Sequence, residues 1–515
     1  MTALLVAPTA HSVAETGRFA RASTRLPGPV STEILVVGTG AGGAVAGTEL
    51  AKRGHRVLFI EAGGAFGGKD FRRRSLLWST KNLFAAGGLQ VSVGDPPVLI
   101  PAGRCVGGST VLNSGICFRP PDARLDEWVA LTGDERLRPD AMRPFVDEMW
   151  TRLGIAPTHA GIGRRNNLLL QKGLAALGVE HDWIDRNAPG CVGCGVCHLG
   201  CPSGGKASVD RAILPEALNH GAEILTYARA DAIVVEGGRA TAVVAQVTDD
   251  EGRVHDLTIR ADRVVVAGSA LGTPLLLERS SLGGDERGRH LAIHPAGAAI
   301  GEFDEPVVMW DGVPQGYWGR DLEDDRVIIE SANVGAGELH ALLGGAGHDG
   351  AARALRYQHY AMSGGMLRDR PSGTVTRADD GSPKIRYSLP REDIEGLKSG
   401  IRTATRAYFA AGARRVAPLI HPVTFFDDET KALDAIARVK RGADFAHVHA
   451  SHPHGTCRMG SVDGARGPAG VVDTDGRVHG TSELYVVDGS IFPSTLGVNP
   501  QVTIMSLSLA LARRM

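Results

Sequence analysis

Short apolar runs, each ending on a glycine or an acid, alternate along this chain with stretches whose apolar residues recur at helical spacing. The first run, Ile34 to Val37, is apolar without alternation, the pattern of a strand buried on both faces. Gly38-Thr39-Gly40-Ala41-Gly42-Gly43 follows, then an alanine-rich helical stretch closed by Gly54, then a second run from Arg56 to Ile60 that ends on Glu61. A polar, basic stretch runs from Lys69 to Arg74. Helical periodicity predicts helices over about Arg138 to Leu153, over Asp210 to His220 closed by Gly221, and over an amphipathic stretch from Pro390 to Ala411. Strand patterns run from Glu223 to Val247, with turns at Gly237-Gly238 and Asp250-Glu251-Gly252. Arg263 to Gly268 reads as another buried strand, with a helix from Thr273. Glu483 to Gly489 returns to sheet character before an apolar helix from Val502 to Ala512. There is no internal repeat.

The first glycine cluster carries the clearest chemistry. Gly38 allows a tight turn, Gly40 lets backbone approach a pyrophosphate, and Gly43 lets helix and strand pack closely. The helix N-terminus then offers unpaired N–H groups and a partial positive charge to that anion. Glu61 stands where a carboxylate hydrogen-bonds a ribose 2′-hydroxyl. Strand, glycines, helix, strand and acid in register imply an adenine dinucleotide.

Composition narrows the partners. A net charge of −1 gives no reason to expect nucleic acid or an anionic membrane surface. No apolar stretch is long enough to span a bilayer. The first thirty residues have no basic region before their short apolar patch and no clear cleavage site, so they read as a disordered lead-in ending at Leu26-Pro27-Gly28-Pro29 rather than a signal peptide. The cysteines number seven, and four of them lie within eleven residues, which suits a metal or redox site better than a secreted disulfide framework. Cytoplasm is the expected compartment.

The pieces together resemble the glucose–methanol–choline (GMC) family of FAD-dependent alcohol oxidoreductases. The match rests on the N-terminal fingerprint, Gly103-Arg-Cys-Val-Gly-Gly-Ser-Thr-Val-Leu-Asn113, Ala270-Leu-Gly-Thr-Pro274, and His452-Pro-His-Gly-Thr-Cys-Arg-Met459 with Val487-Asp-Gly489 and Asn499-Pro500. Arg368-Asp-Arg-Pro-Ser-Gly-Thr-Val375, with the cysteine run, looks most like the long-chain alcohol oxidase branch and its bacterial relatives. The resemblance implies an α/β fold (α+β overall). A Rossmann-like FAD-binding domain would come from residues 31–120, 190–290 and 453–515. A substrate domain with a mixed or antiparallel sheet would come from 121–189 and 291–452, after a lead-in over 1–30. It also implies that Gly38, Gly40, Gly43 and Glu61 hold the ADP half of FAD. Gly107, Gly108, Ser109 and Asn113 would lie along the isoalloxazine, and Asp488 and Gly489 would meet the ribityl chain and pyrophosphate. Members with covalently attached flavin carry a histidine where this chain has Leu112, so the FAD is expected to be non-covalent.

The reaction implied is oxidation of a primary, medium- or long-chain aliphatic alcohol to the aldehyde, by hydride transfer to flavin N5, with O2 or a quinone as acceptor. A base on the hydroxyl makes that transfer accessible near neutral pH, and histidine suits the task. The resemblance assigns it to His452, with His454 as a hydrogen-bonded loop residue. Asn499 would hold the substrate oxygen. Asn499 before Pro500 also reads as a helix start, whose N–H groups would face the flavin edge that gathers charge on reduction. His447, His449, His452 and His454 form two His-x-His pairs, the spacing of a metal cluster, although the family needs none. An NAD-dependent dehydrogenase and a flavin protein that has lost catalysis are further readings. The downstream flavin motifs disfavour the first, and the presence of both His452 and Asn499 disfavours the second.

Cys191-x-x-Cys194-x-x-Cys197-x-x-x-Cys201-Pro202 has the spacing of a ferredoxin cluster-binding run. A 4Fe–4S cluster, a structural zinc and structural cysteines, reduced or disulfide-paired, all fit that pattern. A cluster would give electrons an exit other than oxygen.

Overall fold

The computed structural model describes residues 11–515, except 27, 74, 250, 465 and 466. The strand predicted at Ile34 begins earlier, at Val30, and runs to Val37 in the middle of the first sheet. Its neighbours on either side are Val57–Glu61 and Val254–Val266, both parallel to it, with Leu35 opposite Leu58 and Val36 opposite Val265. Parallel pairing buries both faces, which is why these runs are apolar without alternation. Glu223–Thr226 extends the parallel set on one side.

On the other side the long Val254–Val266 strand changes partners part-way. Its first half pairs antiparallel with Arg239–Thr248, which pairs in turn with Ala228–Glu236. Its last three residues take Leu484–Val486 as a parallel neighbour. The Ala41–Lys52 helix packs over the sheet, and the final helix, Gln501–Ala512, packs against it. This is the Rossmann-like α/β layer the glycine motif predicts.

Three expectations are corrected. The stretch before residue 30 is not a disordered lead-in where it is described. Val13–Thr16 is helical, Ser12 and Glu15 close a capping box, and Val13 is fully buried. Ala20–Arg21 then adds an edge strand beside Glu223–Thr226. Residues 1–10 and Pro27 lie outside the described residues, as do Arg74 and Asp250 of the basic stretch and the predicted turn. Asp210 to His220 is two short helices, Val209–Ala212 and Leu214–Asn219, because Pro215 has no N–H to continue a single one. The helix expected from Thr273 begins four residues sooner, at Ser269.

The second sheet is antiparallel. Its order is Arg415–Pro418, Ala296–Glu302, Tyr360–Leu367, Val327–Ala332, Tyr317–Arg320 and His181–Trp183. The predicted amphipathic helix, found at Arg391–Ala411, lies on it so closely that backbone meets backbone. A Cβ on Gly400 would stand 2.8 Å from the Gly365 Cα. Just past the Tyr360–Leu367 strand, buried Asp369 pins the neighbouring turn. It accepts from the amides of Ile293, at 3.1 Å, and His294, at 3.0 Å, and from the Tyr387 hydroxyl at 2.8 Å. Burial outweighs those three donors and pushes its pKa up to about 7.

Glycine at the first turn is dictated by contact. Gly38 has φ +98° and abuts the Ala267 carbonyl, and a Cβ on Gly43 would lie 2.2 Å from the Gly38 oxygen. Gly42, to which the motif assigns no role, is as constrained: its Cβ would lie 1.9 Å from the Val487 oxygen. Replacing Gly42 with alanine should therefore cost about 1–3 kcal/mol in chemical denaturation. Gly337→Ala, in the Ala336–Leu343 helix with open space around it, should be neutral or stabilising by about 0.5–1 kcal/mol. Equal effects would show that Gly42 is not held by the Val487 contact.

Asp369 supplies a pH test. A folded-state pKa raised above the unfolded value, about 4, means its contribution is fully present below pH 4 and lost as pH rises toward 7. Asp369→Asn escapes that loss, so its stability relative to the parent should improve between about pH 5 and pH 8. A constant difference in urea midpoint across that range would refute the assignment.

Candidate active site

The first two motifs meet at the N-terminus of the Ala41–Lys52 helix. Gly40 stands at its N-cap with no side-chain cap, so the first-turn N–H groups keep their donors for a ligand, and a Cβ on Gly40 would meet nothing within 4 Å. The second motif crosses directly above, with a Cβ on Gly108 only 2.8 Å from the Gly40 Cα. An uncapped helix end under a glycine-walled opening is what a pyrophosphate needs.

Glu61 is deeply buried. It accepts from the Thr39 amide at 3.2 Å, the Thr39 hydroxyl at 2.7 Å and the Gly63 amide at 3.0 Å, and burial raises its pKa. A carboxylate has about four acceptor sites, so roughly one remains for a ligand hydroxyl. Gly107 N–H donates to the same Thr39 hydroxyl at 3.2 Å, which ties the two motifs together.

Side chains of the second motif are held from both ends. Ser109 Oγ accepts from Gly103 N–H at 2.9 Å. Asn113 Nδ2 donates to Gln501 Oε1 at 2.9 Å, and Gln501 Nε2 donates to the Ile116 carbonyl at 2.6 Å. Gln501 opens the final helix, for which Pro500 is the N-cap. Asp488 takes the Ser269 amide at 2.9 Å, the Thr273 hydroxyl at 2.5 Å and the Ser490 amide at 2.8 Å. It thereby fixes Gly489 and the start of the Ser269–Arg279 helix beside the dinucleotide turn.

His452 and Asn499, 47 residues apart in sequence, come together: Asn499 Nδ2 lies 3.4 Å from His452 Nε2. His454 Nδ1 donates to the His452 carbonyl at 2.7 Å and so shapes the loop. His294, on the turn pinned by Asp369, closes the cluster, with ring centres 5.4 Å from His452 and 4.7 Å from His454. Gly497 N–H donates to His294 Nε2 at 2.9 Å. Burial, reinforced by His454 and His449, pushes the His452 pKa down to about 3, so the imidazole is neutral.

From the second sheet, Glu330 faces the same place. Gln315 donates to it at 3.1 Å, and burial pushes its pKa up to about 7 against the pull of Asn499. His452 Nδ1, Asn499 Oδ1, His294 Nδ1, His454 Nε2 and Glu330 Oε1 are all buried without a hydrogen-bond partner among the described residues. Such a collection of unpaired polar atoms is costly in a closed core and fits a site that receives a polar ligand.

The sequence did not point to His294 or Glu330. An acid inside the strand Val327–Ala332 has no periodic signature that separates an outward-facing residue from one turned into a site.

The metal readings fare differently. Among the described residues no three histidine, cysteine or acidic side chains converge on one metal-ion position. That removes the His447–His454 cluster and a structural zinc at the cysteine run. All seven cysteines are free, which removes the disulfide alternative. Cys191, Cys194, Cys197 and Cys201 nevertheless line one cavity, together with Arg186 and Lys206.

Comparison with known proteins agrees with this geometry. GMC oxidoreductase family models match residues 80–296 and 369–508, and a model for an NAD(P)-binding Rossmann-like domain matches 36–86. An uncharacterised GMC-type oxidoreductase of Mycobacterium tuberculosis is 37% identical over 94% of this chain and 76% of its own length. A long-chain-alcohol oxidase of Arabidopsis thaliana is 30% identical over 94% of this chain and 68% of its own. In fold, the chain is similar to pyridoxine 4-oxidase from Mesorbium loti, with a TM-score of 0.71 at 20% identity over 94% of this chain and 99% of that one. With the dinucleotide cradle, the paired His452 and Asn499 and these matches in register, the chain belongs to the GMC oxidoreductase family, as an FAD-dependent oxidoreductase acting on CH–OH donors.

Proposed function

We propose that this enzyme oxidises a primary, medium- or long-chain aliphatic alcohol to its aldehyde, with His452 as the proton acceptor. The observation that carries the reading is the buried pair of His452 and Asn499, set among unpartnered polar atoms next to the dinucleotide cradle. The alcohol class follows the long-chain-alcohol oxidases among its relatives. Residues 31–120, 190–290 and 453–515 would form the FAD-binding part, with 121–189 and 291–452 over the substrate.

FAD, when bound, supplies the hydride acceptor. Gly38, Gly40, Gly43 and Glu61 would hold its ADP half. Gly107, Gly108, Ser109 and Asn113 would lie along the ring system, Asp488 and Gly489 near the ribityl chain and pyrophosphate, and Pro500 at the start of the helix that faces the flavin edge. A substrate hydroxyl seated between the two partners would accept from the Asn499 amide and give its proton to the neutral imidazole of His452. His294 and His454 pack against that imidazole and its loop, and His454 and His449 add to the cost of its becoming charged.

Dioxygen is the acceptor that the oxidase relatives suggest. A quinone or a protein acceptor is the second reading, and the cysteine-lined cavity favours it. No described helix is long and apolar enough to cross a membrane, and free thiols suit a reducing compartment, so the cytoplasm is the place we propose.

His452→Ala should keep FAD bound yet slow flavin reduction by a long-chain alcohol at least about a hundredfold in stopped-flow absorbance. Near-normal reduction would move the base to another group, with His454 first in line. Acid precipitation should release all the yellow colour as free FAD, because Leu112 cannot bond to the flavin. Colour that stays with the pellet would contradict non-covalent binding.

A further inference from the structure

Two buried cations with no carboxylate partner among the described residues stand beside the four clustered cysteines. Arg186 is 3% exposed and Lys206 is 2% exposed. Arg186 donates to the Ser114 carbonyl, at 2.9 and 2.6 Å, and reaches toward two thiols, with Nη1 3.6 Å from Cys191 Sγ and Nη2 3.4 Å from Cys197 Sγ. Lys206 Nζ donates to the carbonyls of Val111 at 2.8 Å, Asn113 at 2.6 Å and Cys197 at 3.5 Å. Asp210, the acid that Lys206 senses, is bonded instead to Ser208. Burying two positive charges this way is strongly unfavourable unless a negative group joins them.

The cavity beside these cations gathers four thiols. Cys191, Cys194, Cys197 and Cys201 all line it, yet no three of them converge on one ion position. A cuboidal cluster asks for that arrangement, because it holds each thiolate on a separate iron with the inorganic core between them. Bound by four thiolates, it carries about two negative charges, which matches Arg186 and Lys206. Three glycines let the loop that carries them turn sharply against its neighbours. Gly193, Gly195 and Gly200 have φ of +69°, +75° and +90°. A Cβ on Gly195 would lie 2.1 Å from the Trp310 oxygen, and one on Gly200 would lie 2.3 Å from the Phe71 ring. Gly193 N–H already donates to Cys191 Sγ at 3.4 Å, the kind of contact that tunes cluster potentials.

We propose that Cys191, Cys194, Cys197 and Cys201 bind a four-iron, four-sulfide cluster, with Arg186 and Lys206 as its counter-charges. On ligation each thiol gives its proton to solvent and one iron–sulfur bond forms per cysteine, so no oxidant is consumed. Because both cations hold carbonyls of residues 111–114, the cluster would lie directly behind the loop along which the flavin is proposed to sit. The inference does not depend on which alcohol is oxidised.

The test uses the whole flavin-loaded protein, purified anaerobically and treated with equal ferric and ferrous iron plus sulfide. We expect about four irons and four acid-labile sulfides per chain, with broad absorption beneath the flavin bands and a low-temperature EPR signal after dithionite reduction. Folded, FAD-loaded protein that takes up no iron, binds only a single metal ion, or shows a Cys191–Cys197 disulfide would overturn the proposal. This first measurement needs no variant, so it stands even if cysteine replacements misfold. Cys197→Ser should lose the EPR signal, and an unchanged signal would overturn this ligand set. Arg186→Gln and Lys206→Gln should retain iron at a more negative midpoint potential, and an unmoved potential would remove the counter-charge role.

Discussion

Everything in this enzyme hangs on a few backbone contacts closer than a methyl group. The turn at Gly38 lies against the Ala267 carbonyl, Gly43 against Gly38, and Gly42 against the Val487 carbonyl. These contacts bring two distant stretches of chain, at Ala267 and Val487, to the N-terminus of one helix, and Gly108 adds a third. Because every contact involves backbone on at least one side, no side-chain rearrangement can relieve an added Cβ, and the opening over Gly40 keeps its shape.

Around that fixed point the protein places ionisable groups where water is excluded. Glu61 and Asp488 each take three hydrogen-bond donors from flanking loops, so the same carboxylates that burial penalises hold those loops together. Asp369 does the same for the turn that carries His294. The histidines go the other way and are neutral, held by ring contacts and single hydrogen bonds. The histidine cluster is therefore tied to its surrounding loops without carrying a permanent positive charge of its own.

How much of this could be read from the sequence depends on the signal each feature leaves. The central strands and the dinucleotide turn were legible because buried parallel strands and spaced glycines leave unambiguous patterns. Val254–Val266 was read only at its end, since its first half alternates like a hairpin strand and its second half is buried like a central one. The segment from Ser12 was misread because its capping box, Ser12 with Glu15, sits in a stretch whose composition resembles a linker. His452, Asn499 and the cysteine run were visible through motifs. Glu330, His294, Arg186 and Lys206 were not, because a charged or titratable residue in sequence gives no sign of which way its side chain turns.

The Asn113–Gln501 hydrogen bond joins the second motif to the first residue of the final helix. Leu484–Val486, which completes the first sheet, also comes from that late segment. On the ribosome, the N-terminal strands emerge hundreds of residues before these late partners. The early strands of the first sheet can start to pair during synthesis, while Leu484–Val486 and Gln501 join them only after several hundred further residues have been made. A chain cut short before Leu484 would leave that sheet without its last parallel neighbour and Asn113 without its Gln501 partner.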